Sequence, residues 1–152
     1  MEDKITSAYE EFNSLGGYAV IEVDDEYNRC GVSYFNCAHK LCYHGVMGNL
    51  ATTLIRSGLA SPYTDDIRGF KAGSVQNINK FKTLTHNLEH IMLRGYVKTV
   101  IVKKMEDGYE TLGVLKNGER TIVHKNAVAD CLYSIYNNAS FWTCGAEEEQ
   151  KI

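Results

Sequence analysis

Two dipeptides, Asp107-Gly108 and Asn117-Gly118, constrain this 152-residue chain more than any other feature. Each is a tight-turn signal, because the two-residue hairpin turns that match strand twist need positive φ, which Asn, Asp and Gly tolerate. Each lies between stretches rich in β-formers. Residues 96–104 alternate, with Val97 and Ile101 opposed to Val100 and Val102; 109–115 and 120–124 follow. The pattern predicts a three-stranded antiparallel meander over 96–124.

A second pair of strands is expected upstream. Residues 18–24 (YAVIEVD) and 30–36 (CGVSYFN) flank the polar turn Asp25-Glu26-Tyr27-Asn28. Cys30, Val32 and Tyr34 share one face by the period of two. Helical spacing covers the remainder. Ile5, Ala8, Tyr9, Phe12 and Leu15 predict a helix over 3–15, with Asp3 as cap and Gly16-Gly17 as stop. Val46, Met47, Leu50, Ala51, Leu54 and Ile55 predict a second over 39–59. Phe81, Leu84, Leu88, Ile91 and Met92 predict a third over 75–94, ended by Gly95. Ala127, Val128, Cys131, Leu132 and Ile135 predict a last one. The expected class is α+β: one antiparallel sheet of about five strands, hairpin 18–36 plus meander 96–124, packed with three to four helices.

A composition that is 44% hydrophobic and 23% charged supports one core and one domain, expected over 1–138, with 139–152 a polar, flexible C-terminal tail. The five cysteines, an odd number with no sign of secretion, are expected as reduced thiols. The charged start Met1-Glu2-Asp3-Lys4 has no signal-peptide pattern, and no apolar run reaches membrane-spanning length. The expected location is the cytoplasm, of the host if the chain is viral, with no membrane partner. Sixteen Lys and Arg against nineteen Asp and Glu give a formal charge of −3, which makes nucleic acid an unlikely partner.

Three constellations carry candidate chemistry. The segment His86-Asn87-Leu88-Glu89-His90 fits H-x-x-E-H, in which two imidazoles one helical turn apart share a Zn²⁺ and the carboxylate activates its water. With its flanks to Gly95 and an Ala72-Gly73-Ser74 upstream, the stretch resembles the active-site helix of the pitrilysin and processing-peptidase family. That resemblance implies His86 and His90 as zinc ligands and Glu89 as the base; for a further glutamate ligand the late candidates are Glu147 to Glu149. On a helical wheel both histidines fall nearly opposite Leu84, Leu88 and Ile91. A second possible zinc set is Cys37, His39, Cys42 and His44, four potential ligands within eight residues.

The third is the stretch 62–74, which mixes Arg68, Lys71 and Ser74 with glycines ahead of a helix. Such a loop can cradle an anion, although the P-loop order is missing. Ten tyrosines, several beside loops and strand ends, suit an interface. No nucleophile–base pair or nucleotide fingerprint is complete. The expected function is therefore a small non-enzymatic binding or inhibitory protein without a cofactor, of the phage or mobile-element accessory kind. It would bind a host protein or sequester a small anionic, nucleotide-like ligand through Arg68, Lys71 and Ser74, as a homo-oligomer. The alternative is a zinc-dependent, peptidase-like hydrolase built on His86, Glu89 and His90.

Overall fold

The computed structural model describes residues 16–46 and 48–151, with side chains to residue 139. The helix expected over 3–15 lies outside the described residues. Strands β1 (Tyr18–Asp24) and β2 (Arg29–Phe35) form the expected hairpin, pairing in register from Tyr18↔Phe35 to Asp24↔Arg29. Their turn is closed by Tyr27 N–H donating to Asp24 Oδ1 at 3.2 Å, with Asn28 left-handed at φ 53°.

The chain then departs from the helix expected over 39–59. Leu41–Gly45 is a strand, β3, antiparallel to β2, and helix α1 spans Leu50–Ser57. The physical reason is local. Asn49 is extended and its side chain accepts from Thr52 N–H, so the helix is capped at 49. Ahead of the cap, Tyr43 buries its ring beside Tyr34 of β2, with centroids 5.4 Å apart. Pairing with β2 gives the backbone of 41–45 its partners along one side and sets Tyr43 opposite Tyr34.

Helix α2 (Val75–Leu93) follows the connection over 58–74, and Ser74 caps it by accepting from Asn77 N–H at 3.2 Å. The meander is β4 (Val97–Met105), β5 (Gly108–Leu115) and β6 (Arg120–Lys125), turning at the two predicted positions. Gly118 is left-handed at φ 87°, as its turn requires. A register shift between Val97 and Thr99 places Val97 in the core with Val100 and Val102, whereas strict alternation had paired it with Ile101. Helix α3 (Val128–Lys151) closes the fold.

The six strands lie in the order β3-β2-β1-β4-β5-β6, all antiparallel. The fold class is α+β, with one strand more than expected. One core joins the helices to one face of the sheet. Ile21, Val32, Tyr34 and Val100 from the strands meet Leu54, Leu88, Leu132 and Ile135 from the helices. Helix α1 rests on β2, α3 on β5 and β6, and α2 between them against both neighbouring helices. Among the described residues no helix is long and apolar enough to cross a membrane.

Candidate ligand cleft

Along α2, Ile78, Phe81, Lys82, Thr85, His86 and Glu89 follow one another at spacings of three, one, three, one and three. They therefore form one stripe of the helix. Helix α1 faces this stripe with Ala51, Thr52 and Ile55. Leu50 N–H donates to Glu89 Oε1 at 3.3 Å, and Pro62 C=O accepts from Asn77 Nδ2 at 2.8 Å. The start of α1 thus lies by the end of α2, and the chain beyond α1 returns to the start of α2. The two helices run antiparallel and enclose a cleft of about 600 Å³. That lies within the range of small-molecule sites, roughly 300–1,000 Å³.

Glu89 forms one end of the floor. Oε1 accepts from Leu50 N–H and from Arg29 Nη1 at 3.2 Å, and Oε2 accepts from Cys30 N–H at 3.3 Å. The carboxylate is 6% exposed, against 48% for the Arg29 side chain. Its place at the first amide of α1 also sets a negative charge against the positive end of the helix dipole. Beneath it, burial and then the Glu89 charge push the Cys30 thiol up to about 12 despite Arg29. Cys30 is a protonated core group, its sulfur 3.8 Å from Met92 Sδ.

The H-x-x-E-H residues therefore separate. His86 is exposed at the cleft and His90 is exposed on α2, while Glu89, the base in the zinc reading, points inward to three donors. In the second set, His39 Nδ1 lies 3.1 Å from Tyr18 Oη, Cys42 Sγ bonds Lys40 C=O, and His44 Nδ1 lies 2.6 Å from Ser33 Oγ. Among the described residues no three His, Cys, Asp or Glu side chains group to hold a metal ion.

The loop trio does not converge either. Ser74 Oγ is committed to the α2 cap. Lys71 is exposed, and its carbonyl accepts from Ser74 N–H at 3.0 Å. Arg68, left-handed at φ 52°, donates its N–H to Asp130 Oδ1 at 2.9 Å and Nη1 to Tyr133 Oη at 2.8 Å. It clasps the loop to α3. Lys80 Nζ also lies 4.6 Å from the Tyr133 ring centroid. Hydrogen bonds from Lys80 and then Arg68 hold the Tyr133 phenol below its ordinary range. The loop is ordered by Asn77, whose amide accepts from Ile67 N–H and donates to Pro62 and Asp65 carbonyls.

Comparison with protein-family models, with characterised proteins and with solved structures found no match to this chain. The cleft must be read from its own groups. Arg29, Lys82 and Ile55 were not singled out as site residues in the sequence. The spacing of Ile78, Lys82 and His86, one turn apart each, was the available signal, but it becomes a wall only once α1 lies opposite.

Proposed function

We propose that this protein is a non-enzymatic binding protein that takes a small anionic ligand in the cleft between α1 and α2. One observation carries the reading: Arg29, Lys82 and His86 stand around a concave site whose walls include Ile55, Ile78 and Phe81. Apolar walls with a few convergent polar groups are the usual composition of a ligand site. Binding rather than turnover is favoured because the carboxylate at the floor is engaged and the thiol beneath it is buried. Cys30 keeps its proton, and Glu89 accepts from three donors. Of the two expectations from the sequence, a host-protein partner or a small anion, this reading takes the anion and proposes the cleft for it in place of Arg68, Lys71 and Ser74.

The test is an amide NMR titration with 8-anilinonaphthalene-1-sulfonate, an aryl body bearing one fixed negative charge. Saturable shifts should cluster at 49–55 and 78–89, and Lys82→Glu should weaken binding roughly tenfold or more by reversing a rim charge. Equal binding by wild type and Lys82→Glu, or shifts scattered outside the cleft, would sink the assignment.

A further inference from the structure

The cleft is not uniform along its length, and its polarity runs in one direction. At the end where α1 begins lie Arg29, Asn49 and His86, together with the backbone start of α1. At the other end lie Ile55, Pro62, Tyr63, Ile78 and Phe81. The antiparallel arrangement of α1 and α2 fixes this segregation, because the polar residues come early in α1 and late in α2. The apolar Ile55, Ile78 and Phe81 come late in α1 and early in α2, and Lys82 stands at mid-length on the rim between the two ends. Ile78 and His86 are eight positions apart, about 12 Å along the helix at 1.5 Å per residue.

We propose that the ligand is an elongated amphiphilic anion. Its carboxylate-type head lies at Arg29 and His86, and its aliphatic or aromatic body lies along Ile55, Ile78 and Phe81. This rests on the cleft being the binding site and adds the ligand's class and direction. A guanidinium has five N–H donors in a planar fork suited to a carboxylate. The Glu89 contact uses Nη1, and the side chain is 48% exposed, so the fork is open to a second partner at the mouth. Glu89 does not repel that head strongly, since its charge is already met by Arg29, by two backbone N–H groups and by the α1 dipole. At the other end the exposed Ile55 and Tyr63 offer apolar surface for which a hydrocarbon body is the complement. A compact ion such as inorganic phosphate would meet the head site and leave that surface wet.

The experiment is calorimetric and NMR titration of the full chain with four probes: decanoate below its micelle concentration, acetate, decan-1-ol and inorganic phosphate. Decanoate should bind at least tenfold tighter than each of the others, with the decanoate terminal methyl giving cross-peaks to Ile55 and Ile78 methyl groups. His86→Gln and Arg29→Gln should each weaken decanoate severalfold and leave decan-1-ol unchanged, and Ile78→Asp should weaken both. His86 is exposed, so that variant stays informative if Arg29→Gln melts early. Phosphate or acetate equalling decanoate overturns the amphiphile while leaving the cleft as an anion site. Decan-1-ol equalling decanoate, or terminal-methyl cross-peaks to Leu50, overturns the charge or the direction. No cleft shift with any probe removes both this inference and the proposed function.

Discussion

Glu89, on α2, accepts hydrogen bonds from the Arg29 guanidinium and the Cys30 amide of β2 and from the Leu50 amide of α1. Truncation orphans the Cys30 and Leu50 amides in a buried setting, where an unmet donor costs more than the bond itself contributed. Glu89→Ala should therefore lower unfolding free energy by about 2–4 kcal/mol in urea titration, and Asn77→Ala by about 2–3 kcal/mol for the same reason. The thiols divide by exposure. Among the described thiols, Cys37 should be alkylated first in the native protein, with Cys30 and Cys131 reacting only on unfolding, as peptide mapping by mass spectrometry will show. Cys30 also ties stability to alkaline pH. Unfolded, its thiol ionises near the ordinary 9.0; folded, it holds its proton to about 12. The unfolded state therefore loses a proton first. Cys30 supplies stability below the lower value and loses it as pH rises through that window. The decline in urea midpoint above about pH 9 should be shallower in Cys30→Val.

Among the elements, those with local punctuation were legible in the sequence. The Asp-Gly and Asn-Gly turns fix three strands, and the Ser74 cap and Gly95 bracket α2. Strand β3 was not legible, because the helical stripe of α1 extends by chance through Val46 into its neighbourhood. Only pairing with β2 makes 41–45 extended. The capping signal Asn49 was present and marks the true boundary. The bulge that turns Val97 inward likewise leaves no local trace. One contact between elements is unusually close. A Cβ on Gly113 of β5 would lie 2.9 Å from Ile135 Cγ2 and 3.0 Å from its Cδ1, so α3 sits directly on the strand. Gly113→Ala should destabilise by about 1–3 kcal/mol, and Ile135→Val in the same chain should recover part of that loss in a double-mutant cycle.

For the whole molecule, the sheet is two contiguous hairpin systems sewn along one line. β1, β2 and β3 come from the first third of the chain and β4, β5 and β6 from the last part; β1–β4 pairing joins them. Amide hydrogen exchange should be slowest in β1 and β4, the two central strands, and fastest in the edge strands β3 and β6. The cleft was hidden from sequence reasoning by the same design: α1 belongs to the first half and α2 to the second. Neither stripe predicts the other.

The β1–β4 register joins residues 85 positions apart at one end (Tyr18 with Lys103) and 77 at the other (Glu22 with Thr99). The halves can thus be regarded as two tethered molecules, with the 58–74 connection as the leash. This tether supplies effective concentration and also contact energy, because Leu59, Ala60 and Ile67 are buried in the core. Chains severed in that connection should reassociate through the seam and the buried face of α2. A ligand touching both α1 and α2 would then behave as a cross-link between the pieces, so that its occupancy reads out as the affinity of one fragment for the other.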